Sequence, residues 1–188
     1  MPFDFDTPIN RKDTGSIKWD IYKDRDVLPL WVADMDFASP QQVIAALHER
    51  IDHGIFGYAF APRALKETII ERLRTRHNWD VQSDWLVWLP GLVTGINIAC
   101  RAVAAPGDAI LTTIPAYPPF LSAPELAGCE LITVEHPNRD GAYQIYFEAI
   151  EAAITERTRL FILCNPHNPT GRVFTRDELS ALAEICLR

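Results

Sequence analysis

Residues 159–174 read RLFILCNPHNPTGRVF, so two Asn-Pro pairs directly follow a run of large apolar side chains. A short run of this kind is typical of a buried β-strand. A residue before proline is disfavoured in the helical region, which places the Asn168 amide beyond the end of that strand. Thr175 and Glu178 then have the spacing of a capping box, which begins a helix. The stretch predicts a strand, a turn that presents Asn168 to a ligand, and a helix; on these residues alone a plain turn is an equally good interpretation.

Three other short apolar runs have the same form, and each ends at a proline. They are residues 85–90 (WLVWLP), 109–115 (AILTTIP) and 130–137 (ELITVEHP). Helix-length sequence separates the runs, which favours a mostly parallel sheet with helices on both faces. The sequence therefore predicts an α/β fold, a three-layer sandwich in which all four runs are adjacent strands of one sheet.

Helical periodicity occupies the segments between and before these runs. Residues 40–54 and a segment that begins near Pro62 carry apolar side chains at helical spacing, which predicts two amphipathic surface helices. Residues 91–108 are apolar nearly all round, which predicts a buried helix. Residues 146–158 predict a further amphipathic helix.

The acidic balance of the chain excludes some classes of partner. The net charge is −7 over 188 residues, with a pI near 5.2. A surface that binds nucleic acid or an anionic membrane normally needs a basic excess, so neither is expected as a partner. The amino-terminal residues lack the apolar segment of a signal peptide, and no later window approaches about 18 apolar residues. These features predict a cytoplasmic protein.

Cysteine and histidine show no metal-binding pattern. The four cysteines are isolated from one another and lie mostly in apolar runs, which predicts buried thiols. Surface placement is the expectation for four of the five histidines, namely His48, His53, His77 and His136. His167 lies between the two Asn-Pro pairs, but nothing in the sequence marks it as an acid or a base.

The loops that follow the predicted strands are candidates for a ligand site. In open α/β sheets, ligands bind outside the carboxyl ends of the strands. Gly91 begins a helix whose first N–H groups can hold a phosphate, and Tyr117, between two prolines, offers a fixed aromatic face. We expect these residues to converge with Asn168. An ordinary helix start and a core tyrosine remain open as alternatives.

Taken in order, the motifs GLVTG (91–95), PAY (115–117) and NPHNPTG (165–171) resemble the large domain of fold-type I pyridoxal-phosphate enzymes of the aminotransferase class I/II family. Within that family, the stretches RKDTGSIKWD, PLWVADMDFASP and GIFGY are similar to the cystathionine β-lyase branch of MalY/PatB type. The resemblance runs from about Arg11 to the end of the chain. It implies that residues 1–45 form an amino-terminal arm and part of the small domain, and that residues 46–188 form the first half of the large domain.

The resemblance also implies pyridoxal 5'-phosphate as cofactor and assigns residues to it. Backbone amides of Leu92 and Val93, with Thr94 nearby, would hold the phosphate. Tyr117 would stack on the pyridine ring, and Asn168 would hydrogen-bond the phenolic oxygen of the ring. The family also leads us to expect a cis peptide bond between Asn168 and Pro169.

Two further implications concern the segment before residue 60. Tyr58 would reach the phosphate of a neighbouring subunit, which makes a homodimer part of the site. The backbone around Ala33 and Asp34 would lie beside the amino-acid substrate.

The implied activity is that of a carbon–sulfur β-lyase, which converts cystathionine or a cysteine S-conjugate to pyruvate, ammonia and a thiol. The family's catalytic lysine, the aspartate on the pyridine nitrogen and the arginine that binds the substrate carboxylate have no counterparts here, and no lysine follows Lys66. The resemblance therefore implies the amino-terminal half of an enzyme about twice as long, inactive by itself. A class I/II aminotransferase and a non-catalytic binding or regulatory module on the same fold remain alternatives.

Overall fold

The computed structural model describes residues 4–188 and divides them into two compact units. The first ends at Lys66, and the second runs from Glu67 to Arg188. The helices are α1 (Ile17–Asp20), α2 (Gln41–His53), α3 (Arg63–His77), a 3-10 turn (Ser83–Trp85), α4 (Leu92–Val103), α5 (Pro119–Leu126), α6 (Phe147–Ala153) and α7 (Arg176–Leu187). The strands are β1 (Ala109–Ile114), β2 (Glu130–Glu135), β3 (Asn138–Arg139), β4 (Ala142–Tyr143) and β5 (Thr158–Ile162). The domain boundary after residue 45 stays a prediction.

Helices α2 and α3 are surface helices, as their periodicity predicts. Neither contains a buried residue within the described range. Helix α2 ends at Gly54, whose left-handed conformation (φ 73°) lets its N–H bond the carbonyl of Ile51 at 2.9 Å. Glycine adopts this conformation without a Cβ clash, which is why the helix ends there.

The second unit is built on a parallel sheet of order β2-β1-β5. The pairing of β1 with β2 runs from Ala109 opposite Glu130 to Ile114 opposite Glu135. Strand β5 lies on the other side of β1, also parallel. Three of the four predicted strands are therefore confirmed as neighbours in one sheet.

The prediction of a strand at residues 85–90 is wrong. The chain forms a 3-10 turn at Ser83–Trp85 and then continues without regular structure. Val87 is 78% exposed and Trp88 47% exposed. A strand requires a hydrogen-bonded neighbour, and none of the strands in residues 4–188 pairs with this run.

The sheet is covered on both faces, which confirms the three-layer architecture. Successive side chains of a strand point to opposite faces. Ile110 accordingly packs in a cluster with residues of α4 and α5 (Ile96, Cys100, Phe120 and Ala123). Leu111 packs in a second cluster with residues of α6 and α7 (Ile150, Leu182 and Ile185).

Helix α4 differs from the buried helix that the sequence predicts. Only Ile96 and Cys100 are buried, whereas Leu92 is 77% exposed. The helix packs against α5 and β5 on one side, so the rest of its apolar surface is uncovered by the described residues.

The segment between β5 and α7 has the predicted form. The Asn165-Pro166 and Asn168-Pro169 peptide bonds are both cis, which confirms the expectation for the second. Thr175 caps α7, because its hydroxyl accepts from the Glu178 N–H at 3.2 Å and the Glu178 carboxylate accepts from the Thr175 N–H at 2.8 Å. The capping box is therefore confirmed.

Two of the four thiols are buried as predicted, those of Cys100 and Cys129; Cys164 is half-buried and Cys186 exposed. All four are free thiols. Within residues 4–188, none of the helices is both long and apolar enough to cross a membrane.

Candidate functional site at the carboxyl edge of the sheet

Two of the predicted site residues follow adjacent strands at the same edge of the sheet. Tyr117 comes three residues after β1, and Asn168 comes six residues after β5. Because β1 and β5 are parallel neighbours, both residues lie beyond the carboxyl ends of the strands. Helix α4 ends just before β1 begins and packs along the same sheet, so it runs opposite to β1 and its first turn lies toward this edge.

The first turn of α4 has unused hydrogen-bond donors. Its N-cap, Gly91, has no side chain to cap the helix, and the first intrahelical bond runs from the Gly95 N–H to the Gly91 carbonyl at 3.0 Å. The N–H groups of Leu92, Val93 and Thr94 have no acceptor among the described residues. This turn contains no acidic side chain. The amino end of a helix carries partial positive charge, so these donors suit an anion such as a phosphate group.

Tyr117 lies two residues before α5, with its side chain partly in solvent. The residue is 42% exposed, which excludes the core tyrosine left open by the sequence. Its carbonyl accepts the Phe120 N–H at 2.9 Å, which fixes its backbone to the first turn of α5. Its ring packs on no other aromatic ring within residues 4–188. The exposed ring can therefore accept a flat partner.

Asn168 is exposed, and its side-chain amide makes no hydrogen bond within the described part of the chain. Its backbone N–H points to the Cys164 sulfur at 3.4 Å. An amide side chain presents two donors and one acceptor oxygen. Asn168 can therefore bond an oxygen or nitrogen of a ligand at this edge.

The turn that carries Asn168 is closed by hydrogen bonds. The His167 N–H donates to the Arg172 carbonyl at 2.7 Å, and the Gly171 N–H donates to the His167 carbonyl at 2.7 Å. The Phe174 N–H donates to the Asn165 side-chain oxygen at 3.1 Å. These bonds hold the turn so that Asn168 is presented outward.

His136 is buried, so the prediction of surface placement is wrong for this histidine. It is 3% exposed and packs its ring 5.0 Å from that of His167. Its backbone N–H donates to the Ile114 carbonyl at 2.7 Å, which continues the ladder between β1 and β2. It stands two residues after the buried Val134, on the same face of the strand. That alternation is the signal from which its burial could have been predicted.

In the first unit, Asp34 belongs to an ion-pair network that the sequence analysis missed. The Arg11 guanidinium bonds the carboxylates of Asp34 at 2.7 Å and Asp36 at 2.8 Å. The buried Lys18 ammonium bonds the Asp36 carboxylate at 2.7 Å and the Asp34 carbonyl at 2.6 Å. The Trp19 indole N–H bonds Asp36 at 2.8 Å.

These contacts lower the pKa values of both carboxyl groups. The hydrogen bond from Lys18, followed by that from Trp19, lowers the pKa of Asp36 from 3.8 to about 2. The hydrogen bond from Arg11 lowers the pKa of Asp34. The network therefore holds residues 34–36 against residues 11–19. Ala33 is exposed on this segment, and Tyr58 is fully exposed after α2.

Several known proteins resemble this chain closely, and the resemblance covers about half of each known protein. Residues 25–188 match the family described as aminotransferase class I and II. Cystathionine β-lyase PatB of Bacillus subtilis is 40% identical over 188 residues, which cover 97% of this chain and 49% of PatB. The crystal structure of OvoB superimposes with a TM-score of 0.92 at 42% identity, covering 99% of this chain and 49% of that one. Cystalysin from Treponema denticola, whose crystal structure contains a pyridoxal 5'-phosphate cofactor, gives a TM-score of 0.91 at 35% identity, covering 100% of this chain and 49% of that one.

The chain thus spans about half the length of the curated relatives that it matches. The resemblance to MalY/PatB-type proteins drawn from the motifs is confirmed. On the match of residues 25–188, the chain belongs to the aminotransferase class I and II family.

Proposed function

We propose that this chain is part of a pyridoxal-phosphate-dependent carbon–sulfur β-lyase that acts on cystathionine or a related cysteine S-conjugate. The observation that carries the proposal is the uncapped first turn of α4, at the same sheet edge as Tyr117 and Asn168. The similarity to cystathionine β-lyase PatB and to cystalysin supports the cofactor and the type of reaction.

The residues at this edge fit the cofactor group by group. Three backbone donors at a helix amino end suit a phosphate, because hydrogen bonds and the helix dipole act together on it. The Tyr117 ring suits the flat pyridine, and the Asn168 amide suits the phenolic oxygen of that ring. The three N–H groups and the Asn168 amide make no other hydrogen bond among the described residues, so binding would break no internal hydrogen bond.

Pyridoxal phosphate, when bound, supplies an electron sink for the charge that develops at the Cα of an amino acid. Leu92, Val93 and Thr94 would anchor its phosphate. Tyr117 would fix the plane of the ring, and Asn168 would hold the phenolic oxygen and so help set where its proton lies. These residues orient the reacting bonds. None of them is a lysine, so the proton-transferring lysine that the resemblance implies would come from another part of the full-length protein.

We also propose roles for residues of the first unit in binding the amino-acid substrate and in forming a homodimer. Arg11 already pairs with the Asp34 carboxylate, so we assign the contact with the amino-acid substrate to the backbone around Ala33 and Asp34. Tyr58, whose side chain is fully exposed, would reach the phosphate in a second subunit. The arm boundary after residue 45 belongs to this proposal as well.

A cytoplasmic location is also part of the proposal. All four cysteines are free thiols, which is typical of proteins in a reducing compartment. The net charge of −7 supports the expectation that nucleic acid is not a partner.

The second candidate function is transamination, which the family description favours. The two reactions differ in products. A β-lyase releases pyruvate, ammonia and a thiol from one amino acid, whereas an aminotransferase passes the amino group to an oxo acid and retains the carbon–sulfur bond.

The test uses the full-length protein that carries this sequence, loaded with pyridoxal phosphate and supplied with cystathionine. We expect stoichiometric pyruvate and thiol without any added oxo acid. Asn168→Ala should lower kcat/KM by at least about tenfold, since a hydrogen bond to a charged group contributes about 1.5–3 kcal/mol. Gln42→Ala, which removes an exposed amide of helix α2, serves as control. Products that appear only with an oxo acid would identify an aminotransferase, and cofactor binding without either reaction would identify a binding module.

A further inference from the structure

His136 and His167 form a buried pair of rings, and His167 itself belongs to the turn that presents Asn168. The two residues are 3% and 2% exposed. Their ring centroids are 5.0 Å apart and nearly perpendicular, at 84°. Both rings also contact the buried Phe174, at 5.7 and 5.9 Å. Nothing in the proposed reaction uses either imidazole, so their burial requires another explanation.

We infer that His136 and His167, as neutral imidazoles, are positioning residues that hold the turn of residues 165–171, and that protonation of the pair releases this turn and with it Asn168. The first part of this inference, that the two histidines hold the turn, concerns this chain alone. The consequence for Asn168 rests on the proposed function.

The contacts of His136 define its protonation state. Its Nδ1 lies 3.0 Å from the Gln144 carbonyl oxygen. A carbonyl only accepts, so Nδ1 carries the proton, and Nε2 of the neutral ring is the unprotonated nitrogen. Nε2 is buried without a hydrogen-bond partner within the described residues. A proton on Nε2 would create a buried N–H without an acceptor, which costs free energy.

The contacts of His167 link the pair to the turn. Its Nδ1 lies 2.8 Å from the Thr170 hydroxyl. Its backbone N–H and carbonyl close the turn through Arg172 and Gly171, both at 2.7 Å. A shift of the His167 ring would therefore move the residues on both sides of Asn168.

The charges around the pair oppose protonation. Arg172 is the cation that faces His136, and each imidazole faces the other. From α7, Glu178 pairs with Arg172, so its negative charge is already engaged. From the segment before α6, Gln144 offers only its carbonyl. Burial is the largest cause and lowers the pKa of His136; the hydrogen bond to the Gln144 carbonyl opposes this in part, and the nearby His167 and Arg172 lower the pKa further. Burial also lowers the pKa of His167.

The direction of the pH effect follows from these lowered pKa values. Below the ordinary value of 6.5, the unfolded or opened chain binds protons that the closed turn does not. The closed turn is therefore fully favoured above pH 6.5 and loses stability as the pH falls toward the lowered pKa values. Asn168 would be held in place at neutral pH and released under mildly acidic conditions.

Hydrogen–deuterium exchange of the full-length protein tests the first part without cofactor. We expect the amides of His167, Gly171 and Arg172 to lose protection by about tenfold between pH 7.5 and 5.5, beyond the intrinsic pH dependence of exchange. His136→Asn keeps a side-chain donor toward Gln144 but cannot be protonated, so it should retain protection at pH 7.5 and reduce the acid-induced loss. His136→Leu should lower protection at both pH values. His48→Gln, a substitution of an exposed histidine, should change neither.

Two outcomes would overturn the inference. The first is equal protection of these amides at both pH values. The second is an unaltered acid-induced loss in His136→Asn. Nitrogen NMR of labelled histidine adds an independent readout, because a His136 signal with the proton on Nε2 rather than Nδ1 at pH 7.5 would also contradict it. If protection follows pH as expected while pyridoxal-phosphate affinity does not, the role proposed for Asn168 fails and the positioning of the turn stands.

Discussion

The Gly95 N–H bonds the Gly91 carbonyl at 3.0 Å, and this first bond of α4 leaves the three preceding N–H groups without acceptors in the described chain. Helix α7 has the same length, but Thr175 and Glu178 cap its amino end. The contrast indicates that α4 is available for an external anion.

Gly91→Asp should therefore stabilise the protein and weaken anion binding at the same time. A Cβ at residue 91 meets no atom within 4 Å, and an N-cap aspartate with a charge near the helix amino end contributes about 0.5–1 kcal/mol to stability. The same carboxylate would occupy the donors and repel phosphate, lowering affinity by about fivefold or more. Urea unfolding and calorimetric titration with inorganic phosphate measure the two effects. Gln82→Asp, which precedes the 3-10 turn instead of α4, is the control for phosphate affinity only. Unchanged phosphate affinity in Gly91→Asp would contradict the site.

The Tyr117 ring should bind pyridoxal phosphate through its face rather than its hydroxyl. Tyr117→Phe should keep the affinity within about twofold, whereas Tyr117→Ala should lower it by about five- to tenfold, because aromatic stacking contributes about 0.5–1.5 kcal/mol. Tyr146→Ala is a matched control, since Tyr146 is 52% exposed against 42% for Tyr117. Fluorescence titration with the cofactor measures these affinities. Equal losses for Phe and Ala would assign the contact to the hydroxyl instead.

The strands β1, β2 and β5 and the helices α6 and α7 could be predicted because their signals are local, whereas α5 and the short β3–β4 pair were not predicted. Thr175 and Glu178 form their capping box within one helical turn, and each of the three strands is a short apolar run. The run at 85–90 has the same composition, but the existence of a strand depends on a neighbour that composition does not specify. Periodicity likewise indicates that α4 is apolar without indicating which of its sides another element covers.

The ion-pair network of the first unit joins residues that are far apart in the sequence. Lys18 and Asp36 are 18 positions apart, and an isolated lysine has surface placement as its default. Its burial depends on a partner that only the folded chain brings near. His136, in contrast, follows the buried Val134 at strand spacing, so the alternation along β2 predicts its burial.

Asp36→Asn should destabilise the first unit at neutral pH and weaken its sensitivity to acid. The folded-state pKa of Asp36 is lowered to about 2 by Lys18 and Trp19. Its contribution to stability is therefore complete above the ordinary pKa of 3.8 and is lost as the pH falls toward 2. Thermal unfolding between pH 2 and 6 should show a smaller acid-dependent loss in the variant. Asp24→Asn, at an exposed carboxylate, is the control; identical pH profiles for wild type and Asp36→Asn would rule out this coupling.

Removing the cap of α7 should reduce stability by a predictable amount. Thr175→Ala deletes the hydroxyl that accepts the Glu178 N–H at 3.2 Å, and such caps contribute about 1 kcal/mol. Thr175→Ser keeps the hydroxyl and should recover most of this loss. Urea midpoints at pH 7 provide the comparison. A serine variant as unstable as the alanine variant would mean that the threonine methyl group, rather than the cap, is responsible.

The 188-residue chain alone should bind pyridoxal phosphate weakly and should not catalyse β-elimination. Leu92, Tyr117 and Asn168 can supply a phosphate cradle, a ring contact and an amide, but none of them is a base that removes a Cα proton. The imidazole of His167, next to Asn168 in the sequence, is buried and bonded to Thr170 at 2.8 Å. Exposed apolar side chains such as Leu92 and Val87 should also make this piece prone to aggregation. Pyruvate release from cystathionine should stay at the level of free pyridoxal phosphate and rise only in the full-length protein. Pyruvate well above that level from the 188 residues alone would mean that a catalytic base lies within this chain.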